Sequence, residues 1–450
     1  MVRTDLQQDL ETLLRQEKLT ASAALMTQYT LAEIADALER LSAVDRAIAF
    51  RLLSKDRAMS VFESFDPALQ SDLAEDLADD VVTGLFESLS PDDRVALMDE
   101  MPAKVASRLM RNLSPEKRTM TNQLLGYAPG SVGRRMSPAF VVAKLGETVG
   151  TVLARIRTLN ITQHDVVVIP VIDAERRFVG STSHYDLFMS EPDYVIARDS
   201  PELNFATGAV LATSSVERAA IRCEDEQLLG LPVVDSEMRL VGVLTFEDSA
   251  QALREAIDED AARAGGTEPL RRPYLSTSVT QIARSRVVWL LVLAVSALLT
   301  VQVLEVFEDT LAEVVTLALF IPLLTGIGGN CGSQAATTIT RAVALGDVRP
   351  ADFFKIIWKE GRTGLLMGSG MALLGLGIGT LAYDWHIAVI IAITIVSICV
   401  MAATVGGAMP LLATKLKVDP AVFSTPFITT FCDATGLLIY FTIARLVLGL

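Results

Sequence analysis

Residues 424–440 read Ser424-Thr-Pro-Phe-Ile-Thr-Thr-Phe-Cys-Asp433-Ala-Thr-Gly436-Leu-Leu-Ile-Tyr440 and begin the last of several long apolar segments. Asp433 is the only acidic residue in the interior of any of these segments, because Glu305 and Glu313 lie within three residues of a segment end. A bare carboxylate in hydrocarbon is costly, so it needs a bundle interior, a water-filled path or a cation. We interpret Asp433 as facing an ion pathway. The alternative is a neutral carboxyl hydrogen-bonded to a neighbouring helix.

Composition divides the 450 residues into an acidic half and an apolar half. The mean hydropathy is +0.40. From Leu270 onward there are 12 basic and 10 acidic residues; subtracting these from the totals leaves 27 basic and 44 acidic residues before it. An acidic half argues against nucleic-acid binding. It suits a region that meets cations, although a solvated acidic surface is the alternative. Because the N-terminus lacks the apolar core of a signal peptide, we expect this half to be cytoplasmic.

Residues 20–126 contain a repeat of 24 residues. Its copies are Leu41-Ser-Ala-Val-Asp-Arg46, Phe65-Asp-Pro-Ala-Leu-Gln70, Leu89-Ser-Pro-Asp-Asp-Arg94 and Leu113-Ser-Pro-Glu-Lys-Arg118. Ser or Asp before Pro is typical of a helix start. The repeat therefore predicts short helix pairs stacked as a small superhelix. Acidic residues crowd one part of it, either as cation ligands or as caps and surface charge: Asp92, Asp93, Asp99 and Glu100.

A second duplication has an offset of 62 residues. Ile169-Pro-Val-Ile-Asp173-Ala-Glu-Arg-Arg-Phe-Val-Gly180 matches Leu231-Pro-Val-Val-Asp235-Ser-Glu-Met-Arg-Leu-Val-Gly242, and Asp186 matches Asp248. Each copy predicts a strand, an acidic turn, a strand and a capped helix. The paired motif resembles a tandem CBS pair over about residues 137–251. Such pairs bind adenine nucleotides in some families and nothing in others, so ATP is a candidate ligand.

The helix predicted over 249–265 has an acidic C-terminal half. Carboxylates there oppose the helix dipole, and Glu255 and Glu259 share one face because they are four residues apart. A cation-binding coupling helix and an ordinary solvated connector are both open interpretations.

Five apolar segments follow, at 287–306, 311–327, 363–382, 387–410 and 426–448. Most approach the roughly 20 residues that span a bilayer. Basic residues precede the first segment and lie in alternate loops: Arg271, Arg272, Arg284, Arg286, Arg341, Arg349, Lys355, Lys359, Arg362, Lys415 and Lys417. The positive-inside rule then predicts a cytoplasmic N-terminus and an outer C-terminus.

Glycines and amides end the second segment, in the stretch Gly328-Gly329-Asn330-Cys-Gly332-Ser-Gln334. Glycines weaken a helix and free its carbonyls, and broken helices are tolerated in membranes where they line a cavity. Oxygen ligands such as the Asn330 amide suit a hard cation. We therefore expect this stretch to line a cavity, with close packing of helices as the alternative.

These parts together resemble the MgtE family of bacterial magnesium channels and transporters over nearly the whole chain. The matching stretches are Gly329–Arg341, Lys359-Glu360 and Asp433–Tyr440. The resemblance implies a multi-domain, non-enzymatic membrane protein of the inner (plasma) membrane. It has an all-α superhelical N domain (1–130), an α/β tandem CBS pair (131–248, divided near 198), an acidic connecting helix (249–270) and a polytopic α-helical membrane domain with five transmembrane helices (271–450).

The resemblance also implies a homodimer with one Mg²⁺ pore on its two-fold axis. Asp433 of each subunit then faces its twin, with Thr429 and Asn330 as further ion contacts. Gly328, Gly329, Gln334 and Thr425 line the pore. Two carboxylates fit one hydrated Mg²⁺, which gives up its waters reluctantly. The family often has asparagine where this chain has Thr425.

Gating in the family is negative feedback, in which cytosolic Mg²⁺ bridges acidic residues and holds the pore shut. The candidate regulatory ligands here are Asp92, Asp93, Asp235, Glu237, Asp248, Glu255, Asp258, Glu259 and Asp260.

Two other functions remain open. One is a CBS-regulated secondary transporter of another divalent cation or solute. The other is an intramembrane aspartyl protease, which needs two carboxylates sharing a site and would have to take the second from another subunit.

Overall fold

The computed structural model describes residues 6–158, 168–198, 200, 208–270, 272, 274–344, 347–416 and 425–449. The chain forms two compact units. The first comprises Met1–Ile257 with Leu270–Ser278, and the second comprises Asp258–Pro269 with Val279–Leu450. Arg271 and Lys417, two of the residues used above for orientation, lie outside the described residues.

Short helices open the first unit. They are α1 (Leu6–Arg15), α2 (Leu19–Met26), α3 (Leu31–Arg40), α4 (Ala43–Arg51), α5 (Lys55–Glu63), α6 (Pro67–Asp76), α7 (Asp79–Ser88), α8 (Pro91–Glu100), α9 (Ala103–Asn112), α10 (Pro115–Leu125) and α11 (Val132–Arg135).

The 24-residue repeat is confirmed, because α4, α6, α8 and α10 begin 24 residues apart. The last three start with proline, whose missing N–H costs nothing at that position. The Ser90 hydroxyl accepts a hydrogen bond from the Asp93 N–H at 3.1 Å, and the Ser42 hydroxyl accepts one from the Asp45 N–H at 3.2 Å. These caps set where each helix begins.

Apolar side chains from successive helices form one core in this region. Leu38, Phe50, Phe62 and Phe86 are almost fully buried in it. The Phe50 and Phe62 rings meet edge to face, with centroids 6.2 Å apart. Burying one such side chain contributes about 1.5–3 kcal/mol, so this core stabilises helices that are individually too short to be stable.

The second duplication forms two small sheets. The first copy contains β1 (Ala143–Lys144), α12 (Val149–Thr158), β2 (Val168–Ile172), β3 (Phe178–Ser183) and α13 (His184–Met189). The second contains β4 (Val210–Leu211), α14 (Val216–Asp225), β5 (Gly230–Val234), β6 (Leu240–Thr245) and α15 (Phe246–Ala264).

Both copies repeat the same register. In each sheet the first strand is parallel to the second, and the second is antiparallel to the third. Ile169 pairs with Thr182, and Leu231 pairs with Leu244, at the offset of 62. The turns match as well, since Arg176 and Met238 both have φ of 64°. The predicted strand-turn-strand-helix order is confirmed; β1, β4, α12 and α14 were not predicted.

Five long helices and one short one build the second unit. They are α16 (Val279–Val306), α17 (Glu308–Glu313), α18 (Ile321–Ala344), α19 (Phe353–Ala382), α20 (Trp385–Lys415) and α21 (Thr425–Leu448). The described residues include five spans long and apolar enough to cross a membrane, as the sequence predicted. Helix α20 is the central helix and packs against α18, α19 and α21.

Glycines bring these helices into close contact. A Cβ on Gly364 of α19 would lie 2.5 Å from the Cys399 carbonyl oxygen of α20. A Cβ on Gly406 of α20 would lie 2.2 Å from the Gly332 carbonyl oxygen of α18. Only glycine allows such an approach of two backbones, so α18 and α19 both depend on it for their packing against α20.

Helix α18 corrects one expectation from the sequence. It runs unbroken from Ile321 to Ala344, through the stretch that we expected to break and free its carbonyls. Gly328 packs against Ile398, and Gly332 packs against Ile428 and Cys432. Close packing, the alternative weighed above, therefore accounts for these two glycines.

Helix α19 corrects a second expectation from the sequence, which concerns the acidic residues of the apolar segments. It begins at Phe353, ten residues before the apolar segment, because the residues before Thr363 continue its hydrogen-bonded spiral. Glu360 thereby lies inside a membrane-length helix, half-buried and with its Cγ 2.9 Å from the position of a Cβ on Gly407. Asp433 is therefore not the only acidic residue in these helices.

Gly406→Ala is expected to destabilise the second unit by about 1–3 kcal/mol, because the added methyl overlaps the Gly332 carbonyl. The measurement is thermal stability of the detergent-solubilised protein. The control is Gly370→Ala, since a Cβ on Gly370 of α19 meets nothing within 4 Å. Equal melting temperatures for the two variants would contradict the packing described here.

Candidate ion sites

Asp433 lies in the middle of α21 and is half-buried. Among the described residues, its carboxylate has no ion pair or hydrogen-bond partner. The alternative, a neutral carboxyl hydrogen-bonded to a neighbouring helix, therefore finds no bonding partner among the residues that the structure describes. A carboxylate held this way in a membrane helix remains available to water or a cation.

Helices α18 and α21 meet close to this carboxylate. A Cβ on Gly329 would lie 3.1 Å from Cγ2 of Thr429, which is one turn before Asp433. The next residue, Asn330, is exposed, and Gln334 is exposed one turn further along α18. Thr425, the first residue of α21, is half-buried. The structure thus brings Gly329 and Thr429 together and gives α18 a polar face. That these residues line a pore stays a prediction.

The first unit contains a group of carboxylates that we call the acidic cluster: Glu63, Asp92, Asp93, Glu247 and Asp248. The repeat motifs position it. Ser90 caps α8 and donates to Oδ2 of Asp93 at 2.8 Å, while Thr245 caps α15 and donates to Oδ2 of Asp248 at 2.6 Å. Both aspartates are therefore fixed in the first turn of a helix, where the helix dipole favours negative charge.

Asp92 is the most buried member of the acidic cluster. It is 8% exposed, and its Oδ1 has no hydrogen-bond partner. Burial raises the pKa of Asp92 well above its usual range, and Asp248 and Asp93 raise it further. A buried carboxylate oxygen without a donor is costly unless a cation or a proton reaches it.

Asp248 is strongly perturbed as well. Burial raises its pKa to about 6; the Thr245 hydrogen bond opposes this, and Asp93 and Glu247 add to it. Burial also raises the pKa of Glu63, with Asp93 and Glu247 as further causes. Burial is the largest cause of each of these pKa shifts, and repulsion by the neighbouring carboxylates adds to it.

The described residues contain no group of three or more His, Cys, Asp or Glu side chains arranged to hold a metal ion.

The other predicted regulatory residues have different surroundings. Asp235 stabilises its turn, accepting hydrogen bonds from the Glu237 and Arg239 N–H groups at 2.9 Å each. Asp173 accepts from the Arg177 N–H in the same way. Glu237 forms an exposed ion pair with Arg239 at 2.9 Å. The structure thus gives Asp235 and Glu237 local roles in the turn.

On α15, arginines accompany two of the predicted ligands. Glu255 pairs with Arg135, and Glu259 pairs with Arg263. Asp258 and Asp260 are exposed. Asp258, Glu259 and Asp260 belong to the second unit, so the acidic cluster of the first unit does not include them.

Sequence reasoning missed Glu63, Glu247 and Arg135. Glu247 was next to a predicted ligand, Asp248, and could have been found there. Glu63 ends α5 and Arg135 ends α11, and neither position lies in a repeated motif. Only the packing of α8 against its neighbours brings them together.

Comparison with known families now defines the class. Residues 321–443 match the MgtE family described as divalent cation transporters, residues 29–130 match the MgtE intracellular N domain, and residues 209–253 match the CBS domain. Together with five membrane-length helices, these matches define a multi-pass membrane transporter with a CBS-containing unit outside the membrane helices.

Relatives identify the family. The magnesium transporter MgtE of Thermus thermophilus is 33% identical over 74% of this chain and 73% of its own length. MgtE of Enterococcus faecalis is 29% identical over 72% and 70%. A crystal structure of the cytosolic domain of the Mg²⁺ channel MgtE in complex with ATP covers 54% of this chain and 98% of its own, with 26% identity and a TM-score of 0.50. The chain belongs to the MgtE family.

The first unit is expected to lose stability as pH rises when divalent ions are absent. The folded-state pKa of Asp248 is about 6 against an ordinary 3.8, so stability present below pH 4 is lost as pH rises towards 6, by about 3 kcal/mol at most. Thermal unfolding in chelator at pH 5 and pH 7.5 measures this. Asp248→Asn should raise stability at pH 7.5 and flatten the dependence. An unchanged profile in that variant would contradict the shift.

Proposed function

We propose that this chain transports Mg²⁺ across the plasma membrane, through a pathway in which the Asp433 carboxylate binds the hydrated ion. The observation that supports it most is a carboxylate in mid-membrane α21 with no partner among the described residues. Membership in the MgtE family and the matched transporter region point to the same ion.

The proposed pore belongs to a homodimer. Asp433 of the two subunits then shares one Mg²⁺, with Thr429 and Asn330 nearby and with Gly328, Gly329, Gln334 and Thr425 along the path. The exposed polar residues of α18 support this, because an amide-bearing face is unfavourable against lipid. The N-terminus is proposed to be cytoplasmic and the C-terminus outside, as the distribution of basic residues indicates.

Asp433→Ala and Asp433→Asn are each expected to abolish Mg²⁺ flux into liposomes, because neither retains the negative charge that attracts the hydrated ion. Asp384→Asn is the matched control. It removes an exposed carboxylate that caps α20, accepting from the His386 N–H at 2.9 Å, and that contacts Nδ1 of the same His386 ring at 2.7 Å. This variant should keep its flux. If both Asp433 variants transport Mg²⁺ while remaining folded, the carboxylate is structural.

We further propose that cytosolic Mg²⁺ closes the pathway by binding at the acidic cluster. Five carboxylates repel one another in the compact first unit, and burial strengthens that repulsion. A dication bound near Asp92 and Asp248 would remove this repulsion, and loss of the dication would loosen the unit. Helix α15 runs from the cluster towards the first membrane helix in sequence, and its Glu255, Asp258, Glu259 and Asp260 are proposed to take part.

Asp92→Asn combined with Asp248→Asn is expected to weaken Mg²⁺-dependent closure by about tenfold or more, because both charges that attract the ion are lost. The measurement is flux at fixed driving force with Mg²⁺ varied on the cytosolic face. Asp79→Asn, at an exposed ion pair with Arg108, is the matched control. Wild-type closure in the double variant would exclude the cluster as the regulatory site.

ATP binding at the CBS pair (131–248) is also proposed. Its support is the solved structure with ATP, whose cytosolic domain aligns with this chain. The domain limits given in the sequence analysis are proposed as they stand, with the N domain ending near residue 130 and the connecting helix near 270.

Two alternatives are less well supported. A transporter of another divalent cation would use the same carboxylate, and the flux measurement with competing ions separates the two. An intramembrane aspartyl protease needs two carboxylates in one site. The two acidic residues deep in the described membrane helices, Glu360 and Asp433, lie on α19 and α21, and the MgtE family is one of transporters rather than enzymes.

A further inference from the structure

Arg135 is a basic side chain placed among the carboxylates of the first unit. It is the last residue of α11, just before the first CBS copy. Its guanidinium forms an ion pair with Glu255 of α15. It also interacts electrostatically with Asp93 of α8 and with Asp248 of α15. Helix α11 also packs against α8, the helix that carries Asp92 and Asp93. One arginine thus pairs with the connecting helix and lies on a helix that packs against the acidic cluster.

Of the neighbouring arginines, Arg94 also interacts electrostatically with Asp92 and Asp93, but its donors, like those of Arg134, are engaged in other contacts. Arg94 of α8 donates from Nε to the Leu89 carbonyl at 3.1 Å and from a terminal nitrogen to Thr121 at 2.8 Å. Arg134 of α11 forms a two-pronged pair with Asp99, at 2.5 and 3.2 Å. Their donors are used in holding helices together.

Glu255, the partner of Arg135 in the ion pair, is itself held in place on α15. It accepts a hydrogen bond from Gln251 Nε2 at 3.0 Å, one turn earlier on α15. The Arg135 and Glu255 side chains are 27% and 46% exposed, so water and salt screen their pair. The pair therefore positions the guanidinium near the acidic cluster without burying it.

We propose that Arg135 is a tethered counter-ion of the acidic cluster and sets the Mg²⁺ concentration at which the cluster fills. This inference rests on the proposed regulatory role of the cluster. A fixed positive charge reduces repulsion among the carboxylates when Mg²⁺ is absent. The same charge repels an arriving dication, so it weakens Mg²⁺ binding.

The test uses full-length protein in detergent micelles, with Mg²⁺ as the only added ligand. Hydrogen exchange of α8 and of the first turn of α15 reports the opening free energy of the compact unit, whose dependence on Mg²⁺ gives the dissociation constant. Arg135→Gln should bind Mg²⁺ about three- to tenfold more tightly, as expected for one charge beside a dication at an effective dielectric near that of water. In chelator it should be less protected than wild type.

Two further variants and one change of buffer distinguish an effect of the Arg135 charge from an effect of structural damage. Arg135→Lys keeps the charge and should match wild type within about twofold, allowing for the different geometry of lysine. Arg108→Gln breaks an exposed pair with Asp79 at 3.0 Å and should change neither quantity. In 1 M salt the difference between Arg135→Gln and wild type should shrink, because the Debye length falls to about 3 Å.

The outcomes distinguish this inference from the proposed regulation. Unchanged or weaker Mg²⁺ binding in Arg135→Gln, with binding lost in Asp92→Asn, would overturn the role of Arg135 and leave the regulatory site intact. If Asp92→Asn keeps the Mg²⁺ dependence of wild type, the cluster does not bind the ion, and the role of Arg135 falls with it. Tighter binding in Arg135→Gln cannot result from misfolding and would support the inference.

Discussion

Negative charge without a matching donor is the constraint on which this protein depends. Asp433 has no partner among the described residues of its membrane unit, and Oδ1 of Asp92 has none within the acidic cluster. A folded chain retains such groups at a cost in stability. In the function proposed here, a small, hard cation that binds carboxylate oxygen and keeps its own water would resolve both cases. One requirement would then link the proposed transport site and the proposed regulatory site, in units that share no fold.

Close packing of helices gives the membrane unit its form. Gly332 and Gly406 let α18 and α20 touch backbone to backbone, and Gly329 lets α18 approach Thr429 on α21. The glycines act by bringing helices together and leave the helices unbroken. The proposed ion contacts in this unit would then come mainly from side chains at helix surfaces, with the Asp433 carboxylate on α21 close to the contact between α18 and α21.

The part of the fold that could be predicted from the sequence is the part that depends on local patterns. Helix starts at 24-residue spacing and strand pairs at an offset of 62 depend on caps and turns within a few residues, such as Ser90 with Asp93 and Thr245 with Asp248. Long apolar runs gave the five spans. Glycine content misled the prediction for α18, because the same residues that weaken an isolated helix also permit tight packing.

The candidate sites were only partly predictable for a related reason. Asp92 and Asp248 were found because each follows a repeated motif. Glu63 and Arg135 became part of the site only through tertiary packing, which no local pattern records. The pairing of Glu255 with Arg135 likewise joins residues 120 positions apart. Sequence alone therefore identified acidic candidates and could not say which of them pair with arginine, as Glu255 and Glu259 do.

The most direct measurement is the location of bound ions in crystals of the full-length protein grown with Mn²⁺, whose anomalous scattering marks its position and whose oxygen preference resembles that of Mg²⁺. We expect one peak beside Asp433 and another beside Asp92 and Asp248, each with several waters completing the coordination. A Mn²⁺ peak absent from Asp433, with that carboxyl hydrogen-bonded to a neighbouring helix instead, would contradict the account.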